Sequence, residues 1–381
     1  MSAPGVVMVS ASFHPHVGGA EKQALELSVA LRARGVPVVV ATRRLPGLKP
    51  YEEARGVPVH RLWRARGLDA PSFMLSLAWF LWKRRAEYGA IHVHLAGSPA
   101  IAAAAMGRLL DKRVIVKLGG GAGIGELATS SRTAFGRLKL RLLSALRPKL
   151  TAVAGELAEE ARRFLGPVDV EVLPNGVDVQ AYRPLDEAAR KALRLKLGWP
   201  ARGLVFLYTG RFSVEKRLPQ FVEVWAEAAR RATREARLVL VGAGPERRAI
   251  ETAVAYAKAQ DKVLLLPPTD AIAELYAAAD VFVLPSISEG LSNALLEAMA
   301  SGLTPLASRV GGTPEAVQDG VSGLLFAPTD EPALRAQLAK LFETPGLTIA
   351  LGQAARQAAV ERFSMDRLAE RCLRLYMPSR E

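Results

Sequence analysis

Residues 281–284 (VFVL) form a short apolar run that stops at Pro285, and residues 285–315 (PSISEGLSNALLEAMASGLTPLASRVGGTPE) continue from it. An apolar run closed by proline predicts a buried strand. Beyond it, Ser292 is placed to cap a helix, residues 294–300 are good helix formers, and Gly302 stands where a helix-ending glycine belongs. A second short strand and a glycine turn follow. A loop that leaves a parallel strand and opens a helix presents N–H groups with no intrahelical partner, and such groups suit a phosphate. Glu289 in the loop and Glu297 inside the helix frame that point. The first carboxylate suits sugar hydroxyls and the second a ribose diol. A solvated loop charge and an exposed helix residue would leave the same spacing, so the pattern by itself decides nothing.

The same grammar opens the chain. An apolar strand at 6–10 leads through residues 13–16 (FHPH) and Val17 to Gly18, Gly19, Ala20 and Glu21. A helix with Ala24, Leu27 and Leu31 at helical spacing then runs to Gly35, and a further strand begins. This βαβ unit with a glycine-rich first turn predicts a parallel sheet, and the small residues let a ligand approach the backbone. A tight turn that binds nothing would look the same.

A chain of 381 residues is long for one core and suits two domains. The turn signal Asn175-Gly176, before a polar, proline-bounded segment, marks the boundary. The expected division falls between 1–173 and 174–361. Both halves read as doubly wound α/β domains.

The net charge of +14 is one-sided: residues 1–170 carry 25 Lys and Arg against 12 Asp and Glu. Such a field suits an anionic membrane surface or a phosphorylated acceptor, although a general basic bias would also produce it. Nucleic acid is not expected, because no nucleic-acid-binding module is recognisable. Two segments bear on the membrane reading. Residues 71–82 (PSFMLSLAWFLW) are apolar and precede Lys83, Arg84 and Arg85, and three of the five tryptophans fall in or shortly before this run (Trp63, Trp79, Trp82). The run is too short to span a bilayer and reads either as a buried helix or as an interfacial one. Residues 132–149 place Leu138, Leu142, Leu143 and Leu146 on one helical face against a basic one, which suits anionic lipid or an ordinary half-buried helix.

The single cysteine, Cys372, and an N-terminus without a charged leader segment suggest a reducing cytoplasm, with peripheral contact at the inner face of the plasma membrane as an extension. All five histidines lie within the first 94 residues, no cysteine cluster accompanies them, and no Asp-x-Asp occurs, so no metal site is expected. His92 and His94, in the strand at 90–94, are expected on opposite faces. His94 ends that strand, where α/β sheets place ligands. A Gly-x-Gly at 242–244 does not extend to a dinucleotide fingerprint, because Pro245 and Arg247 interrupt it.

After the strand at 204–209 come Gly210, Arg211 and Lys216, two cations at a strand's C-terminal edge. Taken with SEGLSNALLEAMASG, VGGTPE, DGVSGLLF and PNGVD at 174–178, the chain resembles the retaining glycosyltransferases of family 4, which have the GT-B fold: two Rossmann-like domains facing each other across a cleft. The resemblance implies a nucleoside-diphosphate-sugar donor, UDP favoured over GDP, and transfer of a hexose-type sugar to a glycan or lipid-linked acceptor, as in cell-surface polysaccharide or glycoconjugate synthesis. Arg211, Lys216 and Glu289 become the catalytic candidates. Gly18, Gly19, His94, Gly210, Leu291, Ser292, Asn293 and Glu297 become the donor contacts. Lys117, Gly119 and Gly120 fall on the acceptor side, and the resemblance implies that a C-terminal helix at 362–381 returns to the first domain. Many members carry a histidine where this chain has about Gly119, a departure that weakens any histidine-based account of catalysis. The other classes that fit are a nucleotide-sugar epimerase of the same fold and a catalytically silent nucleotide-binding subunit.

Overall fold

The computed structural model describes residues 5–15, 18–121 and 123–377. His16 and Val17, from the first glycine turn, lie outside them. The chain divides into two compact units, Met1–Gly176 with Met365–Glu381, and Val177–Ser364. The boundaries fall a few residues beyond those expected from the sequence.

The first unit contains β1 (Val6–Ser10), α1 (Gly19–Ala33), β2 (Val38–Arg43), β3 (Tyr51–Ala54), β4 (Val57–Leu62), α2 (Asp69–Lys83), β5 (Ala90–His94) and α3 (Ser98–Leu109). It continues with β6 (Arg113–Leu118), α4 (Glu126–Ser131), α5 (Ala134–Leu146), β7 (Lys149–Ala152), α6 (Gly155–Leu165) and β8 (Val170–Val172). Its sheet has the order β3-β4-β2-β1-β5-β6-β7-β8. Every pairing is parallel except β3 with β4. That edge hairpin, unexpected from the sequence, turns on Arg55 and Gly56 at φ 51° and 77°, the twist a two-residue hairpin turn requires. β1 and β5 are buried along their whole length, as strands covered by helices on both faces must be.

The second unit runs α7 (Glu187–Lys196), β9 (Leu204–Thr209), α8 (Leu218–Arg231), β10 (Ala236–Val241), α9 (Arg247–Tyr256), β11 (Val263–Leu266), α10 (Ile272–Ala278) and β12 (Val281–Leu284). Then come α11 (Asn293–Ala300), β13 (Thr304–Ser308), α12 (Thr313–Ala316), β14 (Leu324–Phe326), α13 (Glu331–Glu343) and α14 (Leu347–Phe363). Its sheet, β11-β10-β9-β12-β13-β14, is parallel throughout. The amphipathic α8 shows why helices cover it: Leu218, Phe221, Val222, Trp225 and Ala229 recur at helical spacing and are buried. Gly346, at φ 78°, separates α13 from α14.

The chain returns to the first unit as α15 (Met365–Tyr376), which packs on α1. Leu368, Ala369, Cys372 and Tyr376 join the core formed by β1, β2 and α1. Gln23 on α1 is buried and grips the boundary turn twice, with Nε2 donating to Gly176 O at 2.7 Å and Oε1 accepting from Gly176 N at 3.0 Å. A side chain at position 176 would press to within 3.1 Å of Leu368, which gives the glycine of the PNGVD turn its packing reason.

Candidate active site

In the second sheet the strand order reverses between β9 and β12. At such a switch point the loops leaving two adjacent parallel strands diverge and open a crevice, where α/β sheets bind ligands. The β9 loop carries Gly210, Arg211 and Lys216; the β12 loop carries Glu289, Leu291 and Ser292 and leads into Asn293. The two loops are tied together. Lys216 Nζ donates to Glu289 Oε1 at 2.5 Å, and Ile287 N donates to Glu215 O at 2.9 Å. Ser286 Oγ donates to the same Glu289 oxygen at 2.7 Å. Lys216 and Glu289 keep 17% and 10% of their side-chain surface exposed. The pair is therefore mostly dry but reachable from one side, and a partly dry site strengthens each charge interaction.

Glycines hold this arrangement. Gly311 has φ 54°, and a Cβ there would sit 1.9 Å from Glu289 O. Gly312 N donates to Gly290 O at 2.6 Å. The VGG turn thus packs directly under the Glu289 loop. Gly242 and Gly244 do the same for the β9 loop, where side chains would meet Gly210 O at 1.9 Å and Phe212 O at 2.2 Å. The Gly-x-Gly at 242–244 is a backbone support for Arg211 and its neighbours.

The remaining candidates in this unit divide by position. Arg211 reaches toward Glu215 at 3.6 Å and leaves 74% of its side chain exposed. Ser292 caps α11 by accepting from Leu295 N at 3.3 Å. Leu291 is buried. Glu297 is 7% exposed, which excludes the ordinary exposed helix residue that its spacing allowed. Its carboxylate lies beside Tyr276, whose phenol bonds Thr209 Oγ1 at 2.5 Å. Burial, with the Glu297 charge next, raises the Tyr276 phenol well above its ordinary value. Ser286, Thr209 and Tyr276 join the candidate site without having been singled out in the sequence. Position was the available signal for Ser286 and Thr209: Thr209 ends β9, and Ser286 follows the end of the adjacent β12.

The first sheet reverses between β1 and β5. Gly18 caps α1, and its N–H donates to Glu21 Oε2 at 3.1 Å. A Cβ at Gly18 would lie 2.6 Å from that oxygen. Gly19 opens the helix. His94 ends β5, pairs in register with Lys117 on β6, and Lys117 pairs with Thr151 on β7. His94 and Lys117 are 2% and 4% exposed, so both side chains lie beneath the surface. His92 and His94 share one face, with rings stacked 4.8 Å apart. The expectation of opposite faces was mistaken, since strand residues two apart point the same way. His92 Nδ1 meets Tyr376 Oη at 2.6 Å.

Among the described residues, His92 Nε2, His94 Nε2, Lys117 Nζ and Thr151 Oγ1 have no hydrogen-bond partner. Burial pulls the Lys117 ammonium down to about 8 and His92 to about 3, and takes His94 well below its ordinary value. After β6, Gly120 adopts φ 89°. Gly119 has moderate room, since a Cβ there would lie 3.1 Å from the flexible Leu95 side chain. Among the described residues, no three His, Cys, Asp or Glu form a group that could hold a metal.

Comparison with known proteins agrees with this geometry. The family model "Glycosyltransferase Family 4" matches residues 17–181, and "Glycosyl transferases group 1" matches 203–344. N-acetyl-alpha-D-glucosaminyl L-malate synthase of Bacillus anthracis is 28% identical over 95% of this chain and 94% of its own length. Alpha-maltose-1-phosphate synthase of Mycolicibacterium smegmatis is 33% identical over 56% of this chain and 57% of its own. Among solved structures, sucrose-phosphate synthase from Thermosynechococcus elongatus superposes with a TM-score of 0.79 at 23% identity, covering 98% of both chains. HepE of Anabaena, solved in complex with UDP, superposes at 0.78 and 19% identity over 97% of this chain and 98% of its own. The two units are those of a GT-B glycosyltransferase, and the two family models together take in most of the sequence. The chain belongs to the family 4 glycosyltransferases.

Proposed function

We propose that this glycosyltransferase moves a hexose-type sugar from a UDP-sugar to a hydroxyl of a glycan or lipid-linked acceptor, with retention at the anomeric carbon. The observation that carries the proposal is the Lys216–Glu289 pair at the switch point of the second sheet. In transfer, the bond from the anomeric carbon to the β-phosphate oxygen breaks and a bond to the acceptor oxygen forms. The acceptor proton leaves on the departing diphosphate. Negative charge grows on that diphosphate, and Lys216, held by Glu289, and the exposed Arg211 are the cations proposed to neutralise it. Glu289, oriented by Lys216 and Ser286, receives sugar hydroxyls. Glu297 receives the ribose hydroxyls, and the backbone at Gly210, Leu291, Ser292 and Asn293 meets the phosphates.

In the first unit, Gly18, Gly19 and His94 are the proposed donor-side positions, and Lys117, Gly119 and Gly120 the acceptor-side ones. UDP is favoured because the HepE structures hold UDP or UDP-glucose. Metal-independent transfer is the corresponding expectation, since the cations are supplied by side chains. The full-length match to the malate synthase favours one further reading of the acceptor, a small hydroxy acid. Incubation with UDP-hexoses in EDTA, with and without acceptor, tests the proposal. Acceptor-dependent release of UDP with an α-linked product from an α-donor supports it. A changed sugar without acceptor would indicate an epimerase, and no turnover with bound nucleotide a silent subunit.

A further inference from the structure

The face of α2 turned away from the core is not polar. Leu75, Trp79 and Trp82 recur at i, i+4 and i+7 on it, with Leu75 73% and Trp79 62% exposed. The opposite face, Phe73, Leu77 and Leu81, is buried, so the helix has an apolar side to spare. Trp79 and Trp82 stack at 5.1 Å. Trp63 joins them: its carbonyl accepts from Ser76 Oγ at 2.8 Å, and the ring is 63% exposed. The neighbouring helices repeat the pattern. α3 packs against both α2 and α5; Leu109 is exposed on α3, and Phe135, Leu138 and Leu142 on α5. Of the apolar face expected on this helix, Leu143 is buried together with Leu140, whereas Leu138 and Leu142 are exposed.

Charge selects the occupant. Across α2, α3 and α5 the one acidic residue is Asp69, and it is paired with Arg64. Lys83, Arg108, Arg137, Lys139 and Arg141 stand on the same helices, and Arg85 lies over the Trp82 ring at 4.8 Å. Beyond α2, Glu87 is spent on Arg84 at 3.0 Å. A two-fold contact with a second copy would set this basic face against itself. Lys139 also faces Glu126 of α4, but the balance of this face is basic, and tryptophan and leucine flanked by cations match the boundary between headgroups and acyl chains of an anionic bilayer. No helix of the described residues is long and apolar enough to cross a membrane, so any such contact lies in the surface plane.

We infer that the exposed stripe of α2, with Trp63 beside it and the cations of α3 and α5 around it, docks this enzyme on anionic lipid. The inference stands independently of the donor site. Its test is co-sedimentation of the full chain with phosphatidylcholine vesicles, with and without phosphatidylglycerol. Sedimentation is expected with the anionic vesicles alone, weakening as salt rises, with a blue shift of tryptophan emission. The shift is readable because Trp199 and Trp225 are already buried. Trp79→Ser with Trp82→Ser is expected to lower partition at least about tenfold, and Lys83→Glu with Arg85→Glu to lower it and flatten the salt dependence. Unchanged circular dichroism and thermal melts of these exposed-site variants distinguish lost docking from lost fold. Equal partition onto both vesicle types, none at low salt, or variants that bind like wild type would overturn the inference. So would a concentration-dependent dimer that the tryptophan variant dissolves.

Discussion

Lys216 Nζ and Glu289 Oε1 lie 2.5 Å apart although the residues are 73 positions apart in sequence. The contact joins the loops of two adjacent strands at the point where their sheet changes direction. Truncating either partner leaves the other charge mostly buried and unpaired, which is costly. Lys216→Ala is expected to lower kcat by about 10²–10³-fold, the usual effect of removing one fixed stabiliser of developing charge. Steady-state kinetics with a saturating donor checks this. Glu289→Gln, which keeps the side chain's shape and a neutral acceptor for Ser286, is expected to retain more activity than Glu289→Ala.

In the proposed function Glu297 acts at a different step. Its carboxylate is buried beside Tyr276 and is proposed to receive the ribose diol, so its loss is expected in binding. Glu297→Ala should weaken UDP about 10–100-fold, the range of hydrogen bonds to a charged group, with a smaller change in kcat. Equal loss in both quantities would assign Glu297 to the chemical step.

Gly311→Ala tests the support of the Glu289 loop. The residue sits at φ 54°, and the new methyl would meet Glu289 O at 1.9 Å. The backbone has to move, so stability is expected to fall by roughly 1–3 kcal/mol and activity to fall with it. Gly320→Ala provides the control: φ is 73° there, with no atom within 4 Å of the added carbon. It should cost strain and leave activity alone.

Lys117 gives the first unit a pH signature. Burial lowers the ammonium to about 8 from an ordinary 10.5. Between those values the unfolded chain holds more protons than the folded one, so this group makes stability rise with pH. Below about 8 the penalty is present in full, at roughly 3 kcal/mol. Lys117→Met is expected to raise the urea midpoint at neutral pH and to flatten the slope between pH 8 and 10.5. If the residue meets the acceptor, the same variant loses transfer while gaining stability. His92, lowered to about 3, acts at the other end: stability falls as pH drops below its ordinary 6.5, because the unfolded chain takes the proton first.

Local sequence carried the architecture because strand, glycine turn and helix recur with short connections, and the residues that cap and end them are readable one by one. Ser292 and Gly302 bound α11 as their chemistry requires. The edge hairpin at Arg55-Gly56 was not legible, since its twist comes from an arginine at positive φ. The family resemblance singled out Lys216 and Glu289 but could not show that they touch, which depends on β9 and β12 being neighbours. The burial of Glu297 beside Tyr276 was hidden for the same reason. On α2 the sequence showed an apolar run, and only packing decides which face of it is covered.

In the proposed function the second unit holds a uridine nucleotide at the Lys216–Glu289–Glu297 site. Calorimetric titration of UDP in EDTA, on wild type, Lys216→Ala and Glu297→Ala, tests it most directly. Saturable binding by wild type and marked weakening in both variants are expected, with folding intact by circular dichroism. Wild-type affinity in both variants, or no UDP binding by the wild type, would contradict it.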